Sequence, residues 1–206
     1  MSQDKPRQIT IGVTGASGAV YATRTIAALL ERGLTLELVF SDFGRRLLKE
    51  ELGAAAAVDR LADYLRDRYG DGVNNGSFVV HSNRDLGATI ASGSHRSTGM
   101  VVVPCSMKTL AGIANGLSRN LVERAADVML KEKRPLIIVP RETPMSLPQL
   151  KNMVLAAEAG AMIMPAMPAF YQMPKTLDDL ADFMAGKILS ALGIEHSLYP
   201  EWQPGN

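Results

Sequence analysis

Short apolar runs rich in β-branched residues punctuate the chain at residues 9–13, 36–40, 78–80, 100–103, 136–139 and 162–164. Most of these runs are continuously apolar rather than alternating, the pattern of strands covered on both faces. Between them, apolar positions recur at helical spacing over about 20–32, 42–52, 58–68, 121–133, 148–159 and 177–192. This alternation predicts an α/β fold, a Rossmann-like three-layer domain with a mostly parallel sheet flanked by helices. The stretch 70–98, rich in Gly, Asn and Ser, reads as loop around one short strand. A chain of 206 residues suits a single domain, with its core over about 8–194 and a peripheral tail over 195–206.

Polar or turn-forming residues follow nearly every strand candidate. Thr-Gly-Ala-Ser-Gly stands at 14–18 and Ser41 closes the second run; Pro-Cys-Ser-Met-Lys-Thr at 104–109 follows the fourth. Pro-Arg-Glu at 140–142 and Pro-Ala-Met-Pro-Ala-Phe-Tyr at 165–171 follow the last two. Open parallel sheets bind ligands outside the carboxyl ends of their strands, so these loops predict one shared site. In the first loop, Gly15 and Gly18 permit a tight turn and close approach to a ligand. Ser17 adds a hydroxyl beside a helix N-terminus, where an anion is favoured. A plain tight turn is the alternative. The loop lacks G-x-G-x-x-G spacing and a Walker lysine, and Ser41 stands where a ribose-binding acid would be needed; a mononucleotide fits better than a dinucleotide.

Charge narrows the field. Lys and Arg number 22 against 21 Asp and Glu, for a net charge of +1, and aromatic residues are 5%. That balance offers no footprint for nucleic acid or an anionic membrane. No run reaches the roughly 18 consecutive apolar residues a membrane span requires. The single cysteine, Cys105, has no internal disulfide partner, which suits a reducing, cytoplasmic setting.

Several residues break their local pattern. On the helix from Asp42, the apolar side comprises Phe43, Leu47, Leu48 and Leu52, and Glu51 falls among them. An inward carboxylate is costly unless paired or used, or else it snorkels at the helix end. Arg141 at a strand's carboxyl end has the fork to grip phosphate and Glu142 the acid for proton transfer, the alternative being a solvated loop. Lys131 sits in a charged helix end and Lys187 at the margin of an apolar stripe, where snorkelling is the usual explanation. Tyr171 is either a phenol aimed at a ligand or a plug over the core. Cys105 is a nucleophile or, more commonly at a strand end, a small buried residue. His81, His95 and His196 have no metal-ligand spacing, so no metal is assigned. Asp178, Asp179 and Asp182 form an Asp-Asp-x-x-Asp pattern, but Thr176 marks them as a capped first helical turn.

Together, Thr-Gly-Ala-Ser-Gly (14–18), Ala-Ser-Gly-Ser (91–94), Pro-Cys-Ser-Met-Lys-Thr-Leu (104–110), Asn-Leu-Val-Glu-Arg-Ala-Ala-Asp-Val (120–128), Arg-Pro-Leu-Ile-Ile-Val-Pro-Arg-Glu (134–142) and Pro-Ala-Phe-Tyr (168–171) resemble the UbiX-type flavin prenyltransferases. The resemblance runs from about 8 to 194. It implies an enzyme that joins a dimethylallyl group from dimethylallyl phosphate to N5 and C6 of reduced FMN. The product is prenylated FMN, the cofactor of UbiD-type decarboxylases. It also implies a metal-independent reaction and a homododecamer with sites at subunit junctions.

By the same matching, Gly15, Ala16, Ser17, Ser41, Ser106, Met107, Lys108, Thr109 and Arg141 hold FMN. Lys131, Arg141, Tyr171 and Lys187 surround the dimethylallyl phosphate, and Ser92, Glu51 and Glu142 line the reacting centre. Ser17, Glu51, Glu142 and Lys131 are the catalytic candidates. Lys187 stands where the family commonly has Arg, which keeps the charge but loses the bidentate fork. The related flavin-dependent Cys decarboxylases carry Pro-Ala-Ser-Ala-Asn-Thr where this chain has Lys108 in place of Asn. A flavin carrier without chemistry would need no cations beyond the flavin phosphate site.

Overall fold

A computed structural model of the chain describes residues 8–200. Six strands form one all-parallel sheet: β1 Gln8–Val13, β2 Thr35–Phe40, β3 Ser77–Ser82, β4 Gly99–Cys105, β5 Leu136–Pro140 and β6 Met162–Ile163. Their order across the sheet is β3-β2-β1-β4-β5-β6, so the winding reverses between β1 and β4. Seven α-helices connect them: α1 Ala19–Leu30, α2 Asp42–Leu52, α3 Leu61–Tyr69, α4 Met107–Ala114, α5 Leu121–Lys131, α6 Leu147–Glu158 and α7 Leu177–Ala191. No helix among the described residues is long and apolar enough to cross a membrane.

The strands are apolar on both sides because both sides are covered. Alternate residues Val101 and Val103 of β4, and Ile137 and Val139 of β5, pack with α1, α2, α3 and α7. Met100, Val102 and Ile138 face the other way, into α4, α5 and α6. Above β1, α5 comes close: a β-carbon at Gly12 would lie 3.1 Å from a Val122 methyl. The edge strand β3 is half-exposed and runs longer than its apolar stretch, whereas β6 shrinks to two residues.

Two sequence expectations change. The segment 104–109, which reads as loop from sequence, instead opens α4 at Met107, capped by Ser106. The tail was expected to be peripheral, yet Leu198 and Tyr199 pack partly buried against the core. The Tyr199 ring sits 5.1 Å from that of Phe183 on α7, in space left by Gly186, where a β-carbon would lie 2.4 Å from Tyr199. The rest of that tail, 201–206, and residues 1–7 lie outside the described residues.

Candidate active site

The loops leaving β1 and β4 face each other at the point where the strand order reverses, the usual ligand crevice of such sheets. Thr14 ties them together. Its buried hydroxyl donates to the Pro104 carbonyl at 3.0 Å and accepts from the Ser106 amide at 2.7 Å. Its own amide donates to the Pro104 carbonyl at 3.2 Å.

Gly18 caps α1 at φ 115°, in the left-handed region that favours glycine, and a β-carbon there would lie 2.8 Å from the Tyr21 ring. It brings no side chain to the first amides of α1. Glu51 supplies one from the end of α2: its Oε2 accepts from the Gly18 amide at 2.9 Å and the Ala19 amide at 2.8 Å. A carboxylate therefore rests on the positive end of the α1 dipole. This corrects the reading of α2, in which Phe43 and Glu51 shared an inward side. Only Leu48 of that side is fully buried; Glu51 is exposed and Phe43 is 67% exposed, lying against Gly15. A β-carbon at Gly15 would fall 2.5 Å from that of Phe43, so this glycine makes room for α2 as well as for a ligand.

The helices α2 and α4 open toward the same edge. Ser41 Oγ accepts from the Gly44 amide at 3.0 Å, and Ser106 Oγ accepts from the Thr109 amide at 3.3 Å. The Ser106 hydroxyl also donates to Thr109 Oγ1 at 3.0 Å. Met107 and Lys108 thus belong to the first turn of α4, Met107 buried and Lys108 exposed. From β5, Arg141 Nε donates to the Ser17 carbonyl at 3.1 Å, which joins the third loop to the first. Burial pushes the Tyr21 phenol up, and the Arg141 charge partly offsets it. Glu142 is half-buried and accepts from the Thr143 amide at 3.0 Å. Tyr171, 58% exposed, meets the Phe183 ring edge-on at 6.3 Å.

Ser92 and Lys131 do not join this group. Both lie at the amino edge: Lys131 ends α5 just before β5, and the loop carrying Ser92 enters β4, with Thr98 donating to the Gln8 carbonyl at 2.8 Å. A six- or seven-residue strand separates the two edges by about 20 Å. Lys131 Nζ lies 2.7 Å from Glu132 Oε1, against the backbone of Gly93. Lys187 is exposed, about 15 Å along α7 from Leu177.

The histidines, apart in sequence, partly converge. His81 pairs with the buried Glu37 on β2, and His95 Nε2 approaches Glu37 at 3.7 Å. No group of three or more metal-ligating side chains suited to a metal occurs among the described residues. Burial pushes the Cys105 thiol far up, which makes it a poor nucleophile. The acidic triplet is spent on structure. Asp179 Oδ2 accepts from the Lys175 and Thr176 amides at 2.7 and 2.9 Å, while Asp178 and Asp182 pair with Arg68 and Arg24.

Three residues escape sequence reasoning: Thr14 as a bridge, Tyr21 beside Arg141, and Phe43 over the first loop. Only Thr14, a buried polar residue directly after an apolar run, carries a local signal. The carboxyl-edge set fits a flavin mononucleotide. The first turns of α1, α2 and α4 share one edge with the Arg141 guanidinium, and the Gly15 and Ser17 amides find no partner among the described residues.

A family model described as Flavoprotein matches residues 1–189. A flavin prenyltransferase UbiX from Alkalihalophilus pseudofirmus is 47% identical over 202 residues, 98% of this chain and 99% of that protein. A crystal structure of AnUbiX in complex with FMN and dimethylallyl pyrophosphate aligns with a TM-score of 0.87 at 36% identity, covering 98% of this chain and 100% of that one. A dodecameric FMN-dependent UbiX-like decarboxylase from Escherichia coli aligns with a TM-score of 0.83 at 38% identity, covering 95% and 99%.

Proposed function

This chain belongs to the UbiX flavin prenyltransferases of the Flavoprotein family, and from that premise we propose that it joins the dimethylallyl group of dimethylallyl phosphate to N5 and C6 of reduced FMN. The observation that carries this reading is the convergence on the loop that opens α1 at the sheet's switch point: Glu51 accepts from the Gly18 and Ala19 amides, and Arg141 donates to the Ser17 carbonyl. Gly15, Ala16, Ser17, Ser41, the Ser106–Thr109 turn and Arg141 hold the flavin. Reduced FMN, once bound, supplies the nucleophilic N5 and C6.

The residues then have separable tasks. Departure of an allylic phosphate leaves negative charge on its oxygens. Arg141, Tyr171 and Lys187 receive it, with Lys131 and Ser92 contributed by the amino edge of a neighbouring copy. Glu51 keeps Oε2 on the α1 amides, which leaves Oε1 to hold or move a proton. Glu142, just past the carboxyl end of β5, takes the same role, and the proton lost from flavin C6 goes to one of these two carboxylates. The product serves a UbiD-type decarboxylase. The monophosphate is the preferred donor: the three aspartates that would suit a metal diphosphate are engaged in a helix cap and ion pairs. The lone thiol of Cys105 suits a cytoplasmic setting, and a UbiX-like neighbour is dodecameric.

Anaerobic incubation with reduced FMN and dimethylallyl phosphate, followed by mass spectrometry of the flavin, tests the assignment. A flavin heavier by one C5 unit is the expected product; unchanged FMN beside an active control enzyme rejects it. Parallel incubation with the diphosphate, expected to turn over more slowly, tests the donor.

A further inference from the structure

The loop carrying Ser92 is held in an unusual way, and nothing assigned so far explains it. Its carbonyls are tied down from one side. Arg124 Nε donates to the Ala91 carbonyl at 3.1 Å, and the Arg134 guanidinium donates to two carbonyls, Gly93 at 2.7 Å and His95. On the other side the His95 ring lies 3.7 Å from the buried Glu37 carboxylate. With its carbonyls turned to the guanidiniums, the loop leaves Ser92 and Ser94 exposed, their hydroxyls 2.9 Å apart. Gly93 borders the Lys131–Glu132 ion pair: a β-carbon there would sit 2.2 Å from Glu132 Oε1 and 2.8 Å from Lys131 Nζ.

We infer that Arg134 is a positioning residue for Ser92: its planar fork spans the Gly93 and His95 carbonyls and fixes the Ser92 hydroxyl beside the Lys131 ammonium as one preformed donor surface for the substrate's phosphate. This deepens the function proposed above and rests on the role given there to Ser92. Arg134 does not touch the phosphate. Both of its terminal nitrogens donate to the backbone, so its effect is geometric, and a lysine, which is a single point charge, cannot replace that fork. Misplacement of such a group by about 1 Å costs up to roughly a hundredfold in rate.

The test compares Arg134→Lys, Ser92→Ala, the double variant and Gly93→Ala in the full-length, FMN-loaded protein. Binding of dimethylallyl phosphate to the oxidised FMN complex, which does not turn over, is measured by calorimetry, and KM and kcat are measured with reduced FMN. Arg134→Lys is expected to keep FMN affinity, weaken dimethylallyl phosphate binding and raise KM by about tenfold. Added to Ser92→Ala it is expected to cost little more, because both act on one group. Gly93→Ala, which crowds the tips of Glu132 and Lys131, is expected to weaken dimethylallyl phosphate binding with FMN affinity kept, and unchanged binding in it removes Lys131 from the proposed donor surface.

Wild-type binding and KM in Arg134→Lys overturn the inference, since charge alone then suffices. Full multiplicativity with Ser92→Ala overturns it too, as does loss of FMN binding in Arg134→Lys, which marks a global structural role. If Ser92→Ala is itself silent, the role of Ser92 in the proposed function falls, and the inference with it. A normal Ser92→Ala defect beside a silent Arg134→Lys leaves that role standing and removes this inference alone.

Discussion

Glu51 accepts two amide hydrogen bonds that no residue of α1's own N-terminus satisfies, so it has a structural task besides any chemical one. The two tasks separate by substitution. Glu51→Ala removes the cap and is expected to lower stability by about 1 kcal/mol, seen as a fall in Tm of roughly 2–4 °C. Glu51→Gln keeps an acceptor oxygen, so its Tm should stay near wild type and its FMN affinity unchanged while turnover drops. Turnover equal to wild type in Glu51→Gln would remove the carboxylate from the chemistry and leave it a cap. Cys105 gives the opposite expectation. Its thiol is wholly buried and pushed up by that burial, so iodoacetamide near neutral pH should leave the native protein unmodified and label it only after unfolding.

Between elements, Thr14 is the connection that matters most, because it joins the two loops flanking the switch point. Thr14→Val removes a hydroxyl that both donates and accepts, and strands the Ser106 amide. The expected loss is about 1–3 kcal/mol in denaturant unfolding, together with weaker FMN binding measured by fluorescence. Weakened unfolding with FMN affinity intact would show that the bridge serves stability alone. At this scale the fold was largely legible. All six strands are marked by apolar runs, the central ones because helices cover both faces of the sheet there. The helix α4 is not so marked, since its eight residues follow directly on a strand with only Ser106 between them, and a short helix behind a cap reads like a loop. Spacing along α2 shows which residues share a side, but not that one apolar position, Leu48, makes the fully buried contact. Nor does any local pattern disclose that Glu37, His81 and His95 meet, because that contact depends on strand order and on the return path of the loop before β4.

The whole molecule divides its candidate site in two. Ser17, Glu51 and Arg141 stand at the carboxyl edge, and Ser92 and Lys131 at the amino edge, about 20 Å away. If each catalytic centre draws on two copies, Arg141→Gln and Lys131→Gln should each be inactive alone. Co-assembled in equal amounts they should recover activity in roughly a quarter of the centres, the product of two independent halves. No recovery in verified mixed oligomers would place both residues in a single copy's site. Exposed apolar side chains such as Leu147, Leu150 and Val154 on α6 provide surface of the kind that assembly buries.

If Lys131 serves a neighbouring copy's centre, its amino-edge position also constrains how copies can be arranged. A contact that sets one end of a subunit against the other end of its neighbour is heterologous, and repeating it yields either a ring or an endless filament. Only closure under point-group symmetry gives every centre both of its halves. If the centres are shared between copies, dilution that separates them should therefore silence the enzyme before any subunit unfolds.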